Sequence, residues 1–317
     1  MLFDSAQSYT IAGSPTLQFT TPGTASIDVT QGNHTMSMPL SMTSPTVATV
    51  AAGSTLTLSG ASITTGPGAT FTKAGNGRLE LTHVRGYRLA VDAGTAAIIA
   101  SGGNAGGTSK LTSLVINTGA GARLDLRDNK LITADAAGTA SGGAYSGVQG
   151  DVQHAYNFGA WDQPGLTTSM PDAAAGLTTI GIATGAQMRG LGPTDTDTFS
   201  GQTITGASTI AMYTYAGDAN LDGTIDGGDY GIIDNFVQIP GADGYANGDF
   251  NYDGVIDGGD YGIIDNNIQA QGAPFPTGGA VGLSGVTAIP EPAAGAFAGL
   301  TAAVLTLHRR RRKQQFP

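Results

Sequence analysis

The sequence predicts a mainly β protein: a body of stacked short strands, then a small α-helical module and a C-terminal hydrophobic helix. Composition is the first observation. Of 317 residues, 50 are glycine and only 12% are charged, which suits a β-rich chain with many tight turns and argues against a helical enzyme. The second is recurrence: between residues 8 and 133, short runs of alternating apolar and polar side chains are separated by glycine turns. The third is a unit of sequence written twice within residues 218–269.

Charge and cysteine content narrow the function classes. The formal net charge is −10, but eleven of the 24 acidic residues lie in residues 218–265, a stretch with no Lys or Arg. Five of the 14 basic residues sit at 309–313. No basic face is left for nucleic acid. With no cysteine there is neither a disulfide framework nor a thiolate metal site.

In chain order, the first residues, MLFDSAQSYTIAGSP, lack a basic n-region and an apolar h-region and so do not form a signal peptide. Later features imply export, so a longer precursor is expected. STLTLSG (residues 54–60), ATFTKAGNGRLELTHV (69–84), YRLAVDAG (87–94), AAIIASGG (96–103) and the segment 110–133 read as strands. Leu79 and Leu81, like Leu124 and Leu126, alternate with polar or charged neighbours, as a strand with one buried face requires. Strands of this length at near-regular spacing suit a β-solenoid, in which each rung buries its face on the next. A β-sandwich is the competing arrangement. GSTLTLSG and KAGNGRLELT resemble the autotransporter-associated β-strand repeat family. That resemblance implies a right-handed parallel β-helix and no enzymatic activity.

Residues 138–172 are less regular and hold Trp161, with Tyr145, His154, Tyr156 and Phe158 nearby. Beside Asp151 and Asp162 this cluster can be read as a carbohydrate surface; a cap closing the open end of the solenoid is the reading preferred. Residues 177–182 and 210–215 are expected strands of a small docking layer before the repeated unit.

The repeated unit reads DANLDGTIDGGDYGIIDNFVQ from Asp218 and DFNYDGVIDGGDYGIIDNNIQ from Asp249. Oxygen-bearing side chains fall at loop positions 1, 3, 5, 9 and 12: Asp218, Asn220, Asp222, Asp226 and Asp229, then Asn251, Asp253, Asp257 and Asp260 after Asp249. Position 7 adds the backbone carbonyls of Thr224 and Val255, and glycine holds position 6 at Gly223 and Gly254. A hard cation taking six to eight oxygens at about 2.3–2.6 Å, in a loop that bends sharply at position 6, explains the spacing, so two Ca2+ sites are expected. Position 8 is apolar (Ile225, Ile256), where paired loops touch across a short strand. A helix is expected after each loop, burying Tyr230, Ile233 and Val237, then Tyr261, Ile264 and Ile268. The duplicated loop-plus-helix, closed by Asp at position 12, resembles a type I dockerin. The resemblance implies a cohesin-like or other surface-protein partner on helices that begin at loop positions 10 and 11. Those positions are Gly227, Gly228, Gly258 and Gly259 here, without the hydroxyl or basic side chains that many cohesin-binding members present.

Residues 271–289 are Pro/Gly-rich and read as a flexible linker. Pro290, Glu291 and Pro292 then precede 15 uncharged residues (293–307) and the cationic run 309–313. As a helix that span reaches about 22 Å, short of the roughly 30 Å hydrocarbon core. The three parts in this order resemble the PEP-CTERM sorting signal. The resemblance implies recognition by an exosortase, cleavage near Pro290-Glu291-Pro292 and release to the cell exterior, with the membrane touched only through this tail.

The histidines (His34, His83, His154, His308) form no HExxH-like pair and read as turn residues. No nucleophile elbow or P-loop is present. The organisation expected is a solenoid at 1–137, a cap and docking segment at 138–217, a dockerin at 218–270, a linker at 271–289 and a sorting signal at 290–313. The combination resembles exported proteins of planctomycete-like bacteria and points to a non-enzymatic surface or matrix protein. A polysaccharide-degrading enzyme or its carbohydrate-binding subunit is the alternative. It would show as paired acids with a nearby base on adjacent rungs, for which Asp92, Asp125, Asp128 and Arg127 are the residues to place.

Overall fold

Alternation along each strand decides which side chains enter the core. In Arg78–Leu81, Leu79 and Leu81 are buried while Arg78 and Glu80 face outward. In the computed structural model, which describes residues 1–278, such strands pair in parallel and in register, so like residues stack. Leu56 lies against Leu79, Leu79 against Ala96, and the column continues through Leu124 to Leu166. Leu58, Leu81 and Ile98 form a second column beside it. The seven-stranded sheet built this way is parallel throughout. That is the solenoid arrangement; a sandwich would need antiparallel neighbours.

An eleven-stranded sheet supplies the other walls. The long strand Ile63–Ala74 pairs through residues 63–65 with Leu40–Met42 and through 71–74 with Thr46–Val50. It therefore turns a corner at Gly66-Pro67-Gly68 and serves two faces. Turns stack as tightly as strands. At Gly86, with φ +141°, a Cβ would sit 2.1 Å from the Thr65 carbonyl oxygen, so only glycine fits there.

One core column contains a lysine. Lys73 is fully buried between Ala48 and Val91, and its ammonium donates to the carbonyls of Ala74, Gly75 and Ala93 at 2.6–3.1 Å. Burial pushes its pKa down to about 8. The small Ala48 side chain leaves room for the long stem. His34 also departs from the turn role expected of it. It lies in Asn33–Met36, in register with Leu56, 1% exposed and stacked between Phe3 and Tyr9 at 4.8 and 5.5 Å.

Parallel stacking of the larger sheet ends at Lys130–Thr133. The next strands, Thr209–Tyr215 and Thr178–Thr184, add on antiparallel. Gly165–Thr167 adds a last parallel strand to the smaller sheet, and the helix Gly147–Tyr156 packs against it. Tyr145 and Trp161 are buried at this end, with Tyr156 edge-on to Trp161 at 5.2 Å. These aromatics close the stack.

Met1–Gly279 is one compact unit, so the repeated module is packed onto the solenoid's end. Residues 271–278, expected as the start of a linker, are docked as well. Phe275 packs on Tyr215 and Tyr213 at 4.6 and 5.2 Å, and the Tyr215 hydroxyl bonds the Ala273 carbonyl at 2.9 Å. Pro and Gly do not free a segment whose one aromatic has a pocket to fill. Pro290-Glu291-Pro292, the hydrophobic helix and the cationic run lie outside the described residues. Among the described residues, no helix is long and apolar enough to cross a membrane.

Candidate metal centre

The two loops are the same structure built twice. Glycine at position 6 takes φ +95° at Gly223 and +87° at Gly254, and position 4 is also left-handed, at Leu221 (φ 54°) and Tyr252 (φ 57°). This backbone turns successive N–H groups inward. The position 1 carboxylate accepts from the N–H groups of positions 5 and 6: Asp218 from Asp222 and Gly223 at 3.1 and 2.9 Å, Asp249 from Asp253 and Gly254 at 3.2 and 2.8 Å. Asn220 and Asn251 each accept from position 5 at 2.8 Å. Asp222 and Asp253 accept from Thr224 and Val255 at 3.0 and 2.9 Å.

Helices Gly227–Phe236 and Gly258–Asn267 follow the loops, each opened by a capping box. Asp226 and Asp257 are the N-caps, accepting from Gly228 and Gly259 at 2.6 and 2.7 Å. Asp229 and Asp260 return the bond to the cap N–H at 2.9 and 3.0 Å. Their other oxygens reach back to positions 2 and 3, on Ala219 and Asn220 and on Phe250 and Asn251, at 2.7–3.3 Å. The shorter Asp arm at position 12 thus ties loop to helix. Ile233 and Ile264 are fully buried, whereas Val237 is 39% exposed and leaves the predicted apolar stripe. Tyr230 donates to Asp265 and Tyr261 to Asp234, both at 2.5 Å, a reciprocal pair that locks the helices together.

The electrostatics of the loops suit a cation. Asp218, Asp229, Asp249 and Asp260 are fully buried, and the four ion pairs among the described residues involve none of them. Burial pushes Asp218 up to about 8, Asp260 to about 7 and Asp229 to about 6, with Asp249 also raised, although each accepts hydrogen bonds that pull the other way. Buried anions without counter-charge are costly. The donor set is entirely oxygen, which fits a hard divalent cation. Among the described residues, no three Asp, Glu, His or Cys side chains converge as a metal cluster; the loop carboxylates bond backbone amides.

Three partners were hidden from sequence reading. The Thr214 hydroxyl donates to Asp218, and the Tyr145 hydroxyl donates to Asp249 while accepting the Gly244 N–H at 2.7 Å. Thr214, on the strand Thr209–Tyr215, and Tyr145, from the cap, thus tie the position 1 carboxylate of each loop to the body. The third is Gln271, whose amide bonds both the N–H and the carbonyl of Ile225 at 2.7 Å. It takes the strand-like pairing expected between Ile225 and Ile256, because a side-chain amide offers the same donor and acceptor as a neighbouring strand. Tyr252 and Tyr245 complete the docking through the carbonyls of Ile180 and Tyr215 at 2.5 and 3.1 Å.

The acids on the solenoid form a different arrangement. Glu80 and Asp125 are bridged by Arg78 at 3.1 and 3.5 Å, and Arg127 reaches Glu80 at 2.7 Å. Burial alone would raise Glu80, but the hydrogen bonds and charges of Arg78 and Arg127 outweigh it and hold the carboxyl below its usual value. Asp125 is 3% exposed and also accepts the N–H groups of Arg127 and Ser169 at 3.0 Å. Asp128 accepts from Ser101 and Gly102 at 2.9 and 2.7 Å, and Asp92 is exposed on its own turn. Glu80, Asp125 and Asp128 are thus held by guanidinium and amide partners, which braces the turns that carry them.

No family model, no curated protein and no solved structure matches this chain.

Proposed function

We propose that this chain is an exported cell-surface or extracellular-matrix protein with no catalysis of its own. Its body is a right-handed β-solenoid, and a dockerin-type module holding two Ca2+ closes the C-terminal end. Asp218, Asn220, Asp222, Thr224, Asp226 and Asp229 serve the first ion. Asp249, Asn251, Asp253, Val255, Asp257 and Asp260 serve the second. The observation that carries the reading is that two loops share the same backbone-amide bonds to the side-chain oxygens at positions 1, 3, 5, 9 and 12. They also bury four carboxylates that no cation pairs with among the described residues. Calcium supplies the charge those carboxylates lack. The protein's own residues orient the oxygens, exclude water and transmit the ordering of each loop to the body through Thr214 and Tyr145.

The outer face of the paired helices, with Gly227 and Gly258 open to solvent, is the surface for a cohesin-like or other surface-protein partner. An exosortase acting near Pro290-Glu291-Pro292 places the protein outside the cell. Hydrogen exchange on the full chain tests the module. Calcium should slow exchange across residues 218–278 and in Tyr145 and Thr214, and identical protection in calcium and in chelator would refute it.

A further inference from the structure

We propose that the cleft between the cap and the second loop binds a neutral glycan, with Phe158 as the stacking platform. The cleft has a volume of about 540 Å³, within the range of small-molecule sites. Its walls are His154, Tyr156, Asn157, Phe158 and Gln163 from the cap and Asn251 and Asp253 from the loop.

Phe158 is 94% exposed. Its backbone is left-handed (φ 57°, ψ 34°), whereas Asn157 before it is left-handed as the C-cap of the helix Gly147–Tyr156. A bulky residue is rarely held in this region, and strain of this kind concentrates at ligand clamps. Here both the strain and the exposed ring lack compensation in packing. The other aromatics of the same cluster, Tyr145 and Trp161, are turned into the core, so the cap function does not account for Phe158.

The groups around the ring are directional and polar. Asp162 accepts from the Asn157 and Gln163 amides at 2.8 and 3.0 Å, which fixes both and leaves their carbonyl oxygens for a ligand. His154 uses Nδ1 on the Pro164 carbonyl at 2.6 Å and keeps Nε2. An apolar ring face beside oriented amides and an imidazole matches a pyranose, which offers a C–H face to the ring and hydroxyls to its rim. With Ca2+ on the second loop, its carboxylates Asp249, Asp253, Asp257 and Asp260 still outnumber the ion's two charges, while Asp162 is balanced by Arg123, which bonds the Asp162 carbonyl. The field therefore stays negative, so uronate and sulfated glycans are repelled and a neutral one is accepted.

Affinity electrophoresis of the full chain, with calcium present throughout, tests this in gels containing hydroxyethylcellulose, arabinoxylan, galactomannan or polygalacturonate. At least one neutral polymer should retard the protein, and polygalacturonate should not. Phe158→Ala should weaken retention at least tenfold, while Tyr87→Ala, at an exposed ring on the solenoid, should leave it unchanged. Phe158→Gly, which relieves the left-handed backbone, should lose retention with an unchanged or higher melting temperature. No retardation by any neutral polymer, equal retention of Phe158→Ala, or preference for polygalacturonate would overturn the proposal. So would a lower melting temperature in Phe158→Gly, which would make the residue a packing element.

Discussion

Replacing Tyr145 by Phe removes one oxygen and nothing else from the boundary between cap and second loop. That oxygen donates to Asp249, which is fully buried, and accepts the Gly244 N–H at 2.7 Å. A hydrogen bond to a charged group contributes about 1.5–3 kcal/mol, and an orphaned buried N–H costs about 1–3 kcal/mol. The variant should therefore lose ~4 kcal/mol in chelator, measured by guanidinium denaturation with linear extrapolation. In calcium the second site should also weaken about tenfold, ~1.4 kcal/mol, because its first ligand is no longer held. Thr214→Val is the control in the first loop. Its hydroxyl serves Asp218 and leaves no amide stranded, so its loss should be smaller, about 2 kcal/mol. A Tyr145→Phe protein within ~1 kcal/mol of wild type, with an unaltered second site, would show that the cap does not support the loop.

Three further outcomes follow from the geometry. Gly223→Ala should destabilise more than Gly254→Ala, since both need positive φ but the first Cβ meets the Phe275 carbonyl at 2.2 Å and the second meets Ala140 at 3.1 Å; thermal melts decide. Lys73 has its folded-state pKa lowered to about 8 from 10.5, so between those pH values the unfolded chain binds more protons and stability rises with pH, by at most ~3 kcal/mol. Lys73→Met should flatten that rise, and equal slopes in denaturation at pH 7.5 and 10 would contradict it. Protein extracted from the cell surface should lack residues 293–317 by intact mass, and a C-terminus still ending QQFP would mean that the tail is not removed.

The strands and the loop register were legible because each is written in period. Alternation at Leu79 and Leu81 places both in the core, and the spacing of oxygen-bearing side chains repeated from Asp218 and Asp249 folds into one scheme of amide-to-carboxylate bonds. Glycine turns at regular intervals point to parallel stacking, whereas alternation alone fits a sandwich equally well. What stayed illegible is long-range. Nothing local to Tyr145 or Thr214 marks a loop partner, because the hydroxyl meets its carboxylate only after the body has folded. Gln271 and Phe275 sit in a Pro/Gly-rich stretch whose composition conceals two anchoring contacts. Lys73 and His34 occupy core columns where local polarity predicts surface, since neighbouring turns supply three carbonyls to one and two rings to the other.

Isothermal calorimetry of the full chain titrated with Ca2+ puts the metal-centre reading at greatest risk, with melting temperatures recorded alongside. Two bound ions per chain are expected, together with stabilisation of about 2.7 kcal/mol per site at a hundredfold excess over Kd. Asp229→Ala and Asp260→Ala should each abolish one site. Absence of heat and an unchanged melting temperature at millimolar calcium would mean that the buried carboxylates of the two loops are neutral structural groups and not ligands.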